Sequence, residues 1–413
     1  MGGVLWRSPD WMKFWVGQSV SLLGTQFSLL ALPLTAVVVL HARPAEMGIL
    51  VAAEFLPGLL FGLVAGVWLD RTRRKPVLVA ASWLSAVVLA TVPLAALLHV
   101  LRMEQLYAVA FLTGVANTFF SVAQNAIVPA LAGREHLVEA NSKIQASRTI
   151  AQLAGPGLAG VVVQAVTAPM AIAIDAFSFL VGALTAAWIR LPETVPERKP
   201  GRELLAEARE GTVIIWNQLL VRSITLTIIA ANLGGNISGV VWVLLFVGHL
   251  GLTPAQLGLS FAAGSLSALI GAQMARPLVT GFGVGPVMVA GACLFAFGQL
   301  IVILAALGPR TMLFPVLVAA SLVSGFGLMA YNINQQAIRQ AVIPSRLLGR
   351  AMAAVLLAVA IGNLLAAAIG GTVGQRLGLY PALFLGIGIS MLSFLPAVFS
   401  PLRSLREVPA AAD

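Results

Sequence analysis

Apolar residues run along the chain in continuous stretches of helix length, separated by short polar connections. Twelve such stretches lie near residues 14–40, 46–69, 76–100, 104–128, 142–167, 169–190, 222–248, 254–275, 284–307, 311–339, 348–374 and 378–400. A membrane-spanning helix needs about 20 mainly apolar residues, whereas the strands of a membrane barrel alternate over about ten. The pattern therefore predicts an all-α membrane protein with twelve transmembrane helices.

Composition and charge support this class. Of the 413 residues, 59% are hydrophobic and only 10% are charged, too few to cover a water-soluble domain. All but four of the 25 Lys and Arg fall on the side that holds both termini, the exceptions being Arg43, Arg102, Arg310 and Arg376. By the positive-inside rule we expect a multi-pass protein of the cell (inner) membrane with both termini cytoplasmic. Topology thus explains the net charge of +10 without a nucleic-acid partner.

The chain divides near its middle and repeats. Residues 191–221 are the longest polar stretch and predict a cytoplasmic linker with an amphipathic helix in the alternating-charge segment 202–210. The segment 117–129 (NTFFSVAQNAIVP) recurs as 332–344 (NINQQAIRQAVIP), with Asn, Ala and Pro in register. We therefore expect a six-helix bundle at 1–190 and a second bundle with a short tail at 222–413. Such a duplication is typical of transporters that work by alternating access.

The loop after the second stretch carries the most specific motif. Residues 66–75 (GVWLDRTRRK) resemble the signature loop between helices two and three of the major facilitator superfamily. Arg73 replaces the usual glycine, a departure associated with the macrolide-efflux and enterobactin-exporter-like branch. The resemblance implies two pseudo-symmetric six-helix bundles and a drug–proton antiporter type of transport. It also implies a gate motif, formed by Gly66, Asp70, Arg71, Arg74, Lys75 and Arg350.

In that gate, Asp70 would meet the positive start of helix eleven near Arg350 in only one transport state. Gly66 would let a neighbouring helix approach closely. The simpler alternative is that Asp70 only balances the arginines beside it, which serve topology.

A second resemblance lies in the fifth stretch. Gly155, Pro156 and Gly160 resemble the antiporter motif of drug–proton exchangers, although Ala151 stands where that motif has an earlier glycine. A proline in the middle of a helix bends the helix. Glycines allow close helix packing, which would seal the outer side of the transporter in one transport state. Ordinary helix packing is the alternative interpretation, since membrane helices tolerate both residue types.

Two acidic residues, Glu54 and Asp175, lie inside predicted spans. A charged carboxylate at a helix centre costs at least about 2.5 kcal/mol, so each needs a function or a polar partner. Glu54 precedes Pro57, where the helix can flex, and is the candidate proton carrier or counter-ion for a cationic drug. Local hydroxyls or outer-face water could also satisfy it. Asp175 is the second candidate for binding a proton or a cation, but a structural anchor is the preferred interpretation, because Ser178 follows one turn later.

Polar side chains recur at helical spacing on five predicted spans. Such stripes must face protein or water rather than lipid. The resemblance implies that spans one, four, seven and ten line a cavity, although hydrogen bonding between helices is the alternative for any single residue. The cavity-lining candidates are Gln18, Thr25, Asn117, Gln124, Arg148, Gln152, Asn232, Asn236, Asn332, Gln336 and Arg339. The span-four arginine that supports proton coupling in several family members has no counterpart between Tyr107 and Gln124.

The chain has no motif for catalysis. It lacks a phosphate-binding loop and a nucleophile–base constellation, and Cys293 and four scattered histidines predict no metal site. We therefore expect neither an enzyme nor a cofactor, with the proton gradient as the energy source.

The resemblance implies a proton-coupled exporter of a small amphipathic compound, neutral or cationic, such as a drug or macrolide. Its expected partners are the lipid bilayer, the small-molecule substrate and protons, and the chain is expected to be a monomer. Two alternatives stay open. One is an exporter of an anionic metabolite or siderophore, for which Arg148 and Arg339 would supply positive charge. The other is a non-transporting membrane receptor or lipid-scrambling scaffold.

Overall fold

Helices form nearly all of the chain in the computed structural model, which describes residues 4–69, 72–190 and 204–409. The α-helices, in chain order, are α1 (Pro9–Leu34), α2 (Pro44–Leu69), α3 (Arg74–Leu97), α4 (Met103–Ala132), α5 (Leu137–Val166), α6 (Ala168–Ala187), α7 (Leu204–Asn217), α8 (Leu219–Val243), α9 (Pro254–Phe282), α10 (Val284–Leu307), α11 (Arg310–Val342), α12 (Ser345–Leu377), α13 (Leu379–Leu392) and α14 (Leu395–Val398). Short 3₁₀ turns occur at Val4–Arg7, Arg134–His136 and Pro401–Ser404.

Among the described residues, twelve helical segments are long and apolar enough to cross a membrane. This confirms the predicted class and helix number. The last of these segments, Leu379–Val398, runs through both α13 and α14. Helix α7 corresponds to the amphipathic helix predicted at 202–210, but it continues to Asn217.

The sequence repeat has a structural counterpart at the ends of α1 and α8. Each helix widens into a π-helical turn, at Thr35–Val39 and Leu244–His249. In the first turn, the amides of Leu40 and Ala42 donate to carbonyls five and six residues earlier, and the amides of Leu250 and Leu252 do the same in the second. Wide turns of this kind are rare and often occur at functional sites. Their recurrence at equivalent places supports a duplicated architecture.

The chain forms two compact units, and the first contains most of α2 together with α1 and α3 to α6. It also includes Thr253–Gly258, the start of α9. One of its buried clusters joins Trp11 of α1, Leu78 of α3, Ile127 of α4 and Ile144 of α5. These apolar contacts hold the polar motifs of the first unit on fixed helices.

The second unit contains Arg43–Gly48, α7, α8, α9 from Leu259 onward, and the remaining helices. One of its cores joins Ile224, Met288, Tyr331 and Leu402. The segment after α14 also caps α10. The carbonyls of Leu405 and Arg406 accept hydrogen bonds from the first two amides of that helix at 2.8 and 3.1 Å. Amides at a helix start lack partners within the helix, so this tail satisfies donors that would otherwise be buried.

Candidate functional site

Part of the predicted gate motif is visible at the start of α3. Lys75 donates from Nζ to the carbonyl of Ile189 just beyond α6, at 2.6 Å, so the lysine ties the start of α3 to the end of α6. Arg74 is the first residue of α3. Asp70 and Arg71 lie outside the described residues, so their predicted roles stay predictions.

The role expected for Gly66 stays a prediction. A Cβ added there would have no described atom within 4 Å, so no described helix approaches this glycine closely in this structure. Sequence reasoning assigned the glycine a packing role because small residues often mark helix contacts. Such a role depends on which side of the helix faces a neighbour, and one sequence does not specify this.

Arg350 forms an ion pair with Glu210 of α7. The next residue, Gly211, packs against the backbone of α12, where a Cβ would lie 3.1 Å from the amide nitrogen of Ala351. Apolar side chains continue this contact, since Ile215 shares a buried cluster with Ala351. The amphipathic helix is therefore docked on the segment that carries Arg350. Sequence reasoning missed Glu210 as a partner, although the alternating charges of 202–210 were a signal.

The antiporter-like motif forms close helix contacts in the first unit. A Cβ at Gly155 would lie 2.5 Å from Cβ of Gln26 on α1, so that helix leaves no room for a side chain. A Cβ at Gly160 would lie 2.5 Å from the carbonyl oxygen of Pro254 and 3.0 Å from Cα of Gly258, both at the start of α9. Gly160 thus permits backbone-to-backbone approach, whereas Gly155 leaves room for the side chain of Gln26.

A polar contact accompanies the glycine packing. Gln164, one turn beyond Gly160 on α5, accepts a hydrogen bond at Oε1 from the amide of Ala255 at 3.2 Å. This amide belongs to the first turn of α9 and has no partner within the helix. Pro156 does not interrupt α5, which is continuous from Leu137 to Val166.

Asp175 is buried in the contact between α6 and α1, with only 1% of the residue exposed. The hydroxyl of Ser178 donates to its Oδ1 at 3.0 Å. Opposite lies Gly24 of α1, where a Cβ would approach Oδ1 to 2.9 Å. Ser21, one turn earlier on α1, donates to the carbonyl of Ser178 at 3.2 Å. The surroundings of Asp175 thus match an anchoring role.

Glu54 differs from Asp175 in its surroundings. Its residue is exposed, and its carboxylate makes no hydrogen bond or ion pair with the described residues. The backbone beside it is firmly packed, because a Cβ at Gly114 of α4 would lie 2.8 Å from the Glu54 carbonyl oxygen and 2.9 Å from Cγ of Pro57. Glu54 therefore presents an unpaired carboxylate from a fixed backbone position, which suits reversible binding of a proton or a cation.

The cavity-lining candidates divide by exposure. Those at least partly accessible are Thr25, Asn117, Arg148, Gln152, Asn232, Asn236, Asn332 and Gln336. Gln18, Gln124 and Arg339 are instead buried, with 7%, 8% and 6% of each residue exposed. Such low exposure differs from the exposure expected of side chains on the wall of an open cavity. The physical reason is that a polar stripe can be shared by neighbouring helices of the same unit, which hydropathy does not distinguish from a wet surface.

One polar contact of the second unit was missed by sequence reasoning. Asn236 of α8 donates from Nδ2 to Oδ1 of Asn363 on α12 at 3.1 Å. It also donates to the carbonyl of Asn232 at 2.9 Å. Asn363 stands alone in an apolar run and belongs to no polar stripe, so the sequence gave no periodic signal for it. The contact makes Asn363 part of the candidate site.

A family model and several known proteins match the chain. The model of the Major Facilitator Superfamily matches residues 14–247 and 224–412. Macrolide efflux protein A of Streptococcus pyogenes is 25% identical over 207 residues, which are 49% of this chain and 50% of that protein. The chain thus spans about half the length of the first curated relatives that it matches. Multidrug efflux pump Tap of Mycolicibacterium fortuitum is 26% identical over 378 residues, 89% of each chain.

Two solved structures have a similar fold. A bacterial homologue of the iron transporter ferroportin, in an inward-facing state, superposes with a TM-score of 0.75 at 16% identity over 96% of this chain and 99% of that one. A mutant of the nucleoside transporter NupG gives a TM-score of 0.74 at 14% identity, covering 94% and 98%. At such identities the likeness is evidence for the fold alone.

Proposed function

Because the chain belongs to the major facilitator superfamily and is a multi-pass membrane transporter, we propose that it is a proton-coupled exporter of a small amphipathic compound. The substrate is neutral or cationic, such as a drug or macrolide, and moves by alternating access. Relatives named for macrolide and multidrug efflux support the direction and substrate class. The protein lies in the inner membrane with both termini cytoplasmic, as a monomer that needs no cofactor and catalyses no reaction.

The unpaired carboxylate of Glu54 is the observation that carries the proposal. Within the described spans, the other intramembrane acid, Asp175, is buried and bonded to Ser178. A carboxylate without a protein partner can exchange a proton or a substrate cation, and intramembrane acids in transporters commonly serve proton transfer. A proton can bind one conformation of the transporter more tightly than another. Protonation then shifts the population toward that conformation and can bias the transport cycle. Partly accessible amides such as Asn232 and Asn332 supply hydrogen bonds for a weakly polar substrate.

The test is an accumulation screen in cells that lack their own efflux pumps. Cells producing the protein are exposed to a panel of neutral, cationic and anionic compounds, with and without an uncoupler. We expect at least one amphipathic neutral or cationic compound to accumulate less, and the uncoupler to abolish the difference. Glu54→Gln should lose most of this effect, because glutamine cannot carry a proton. Glu104→Gln is the matched control, since Glu104 is also exposed and lies in the first turn of α4.

An exporter of an anionic metabolite or siderophore is the second candidate. The observation favouring it is Arg148, which is exposed and makes no ion pair with the described residues. Export of anions that is lost in Arg148→Ala and kept in Glu54→Gln would support this candidate. Equal export by wild type and Glu54→Gln would remove Glu54 from the mechanism.

A further inference from the structure

Helix α11 buries a positive charge that has no counter-ion among the described residues. Tyr331, Gln335 and Arg339 follow one another at intervals of four residues, so they share one face of the helix. All three are buried, and Arg339 is 6% exposed. The guanidinium makes no hydrogen bond or ion pair with any described residue, and its Nε is buried without a partner.

The sequence offers almost no acid to this part of the molecule. Neither Asp nor Glu occurs between Glu210 and Glu407, a stretch that contains all the helices from α8 to α14. Of the two flanking acids, Glu210 is already paired with Arg350. A buried charge without a partner is strongly unfavourable. The carbonyls at the end of α11 offset only part of this cost, because a helix end stabilises a cation in its last turn by much less than the burial of an unpaired charge costs.

The surroundings of Arg339 favour a negative charge. Gln218, just before α8, donates from its side-chain amide to the carbonyl of Val342 at 3.4 Å. The start of α8 therefore lies beside the last turn of α11, which carries Arg339. The start of a 25-residue helix has free amides and a positive end of its dipole.

Two polar side chains share the buried face with Arg339. The Tyr331 hydroxyl donates to the carbonyl of Ile224 at 3.4 Å. Gln335 Oε1 is buried without a hydrogen bond; this oxygen is an acceptor, and only the N–H groups of the same amide can donate to an anion. Buried polar groups are normally satisfied, so the guanidinium of Arg339, which has no partner among the described residues, is the feature that favours an anion here.

We propose that Arg339 is the centre of a small-anion site within the second unit, at the junction of α8 and α11. The ligand is a halide or a phosphate-sized anionic group, because the guanidinium is almost completely enclosed. Its source is either a free inorganic anion or the phosphate of an acidic lipid headgroup. The site is independent of the proposed substrate and of proton coupling through Glu54, which belongs to the first unit.

The experiment measures thermal unfolding of the full-length protein in a neutral detergent. Sodium gluconate, which supplies a bulky organic anion as the reference, is replaced stepwise by sodium chloride or sodium phosphate at constant ionic strength. For wild type we expect a saturable rise in Tm of about 3 °C or more. Arg339→Gln should be insensitive to the anion and should be at least as stable as wild type in gluconate. Arg276→Gln is the matched control, because Arg276 is an exposed arginine of α9, and it should respond like wild type.

A second set of measurements, with added lipid, distinguishes a free inorganic anion from the phosphate of a lipid headgroup. If phosphatidylglycerol in the micelle removes the response to chloride while phosphatidylcholine does not, the headgroup is the ligand. A response to chloride in both lipids identifies a free anion. If Arg339→Gln does not fold, Arg339→Lys replaces it, and its titration midpoint should move to higher anion concentration. A wild-type Tm that is the same in every salt and lipid would overturn the proposal, as would equal responses in wild type and the folded Arg339 variant.

Discussion

A methyl group at Gly24 is expected to displace Asp175 from its place between α1 and α6. The Cβ of Gly24→Ala would lie 2.9 Å from Asp175 Oδ1 and would overlap the side chain of Ser178. Overpacking of this kind costs about 1–3 kcal/mol. Losing the hydrogen bond from Ser178 to a buried carboxylate costs about 1–3 kcal/mol more. Alanine regains about 1 kcal/mol of helix propensity. The net destabilisation is about 1–5 kcal/mol.

The assay is unfolding of purified protein in mixed micelles, compared with Gly62→Ala. A Cβ at Gly62 of α2 would meet no described atom within 4 Å, so this variant should be as stable as wild type or slightly more stable. Adding Ser178→Ala to Gly24→Ala should cost less than the two single changes together, because the smaller side chain makes room for the methyl group. If Gly24→Ala is as stable as Gly62→Ala, the anchoring role of Asp175 is refuted.

Three further predictions concern other contacts. Gly160→Leu should destabilise the protein and reduce transport, because its Cβ would lie 2.5 Å from the Pro254 carbonyl; Gly239→Leu, at a position with open space, should do neither. Asn363→Ala should lower the free energy of unfolding by about 0.5–1.5 kcal/mol by removing the bond from Asn236, and a cycle with Asn236→Ala should show coupling. A double-mutant cycle on the exposed pair of Glu210 and Arg350 should give a coupling of about 1 kcal/mol or less that falls with added salt; a larger, salt-independent value would contradict the surface ion pair.

Membrane-crossing helices could be predicted because each must be apolar over a fixed length. Their ends were less predictable, since hydropathy does not detect a helix that continues into water. The fifth stretch was expected at 142–167, whereas α5 begins at Leu137, in a polar segment. Helix α7 extends beyond the predicted segment to Asn217, where Ile215 packs on α12. Contacts with another helix set that end, and the local pattern of residues does not contain them.

The types of residue in the candidate site could be predicted from the sequence, but the residues that they contact could not. Sequence reasoning treated Arg148 and Arg339 alike, as cavity-lining cations that would supply positive charge for an anionic substrate. In the structure Arg148 is exposed and Arg339 is buried. The difference comes from the helices that pack around each arginine, which are not the same. Asn363 gave no signal at all, since its importance comes only from the contact with Asn236. Glu54 and Asp175 stood out correctly as intramembrane acids, but only packing showed which of them has a hydrogen-bond donor.

Flux driven by a pH gradient in proteoliposomes tests the central claim most directly. Purified protein is reconstituted, a compound identified by the accumulation screen is loaded, and its movement is followed after a pH jump and again after an uncoupler. Our account predicts flux of the compound against its gradient in wild type and Glu104→Gln, stopped by the uncoupler and lost in Glu54→Gln. Flux that is indifferent to the pH gradient, or equal in Glu54→Gln, would contradict a proton-coupled exporter that works through Glu54.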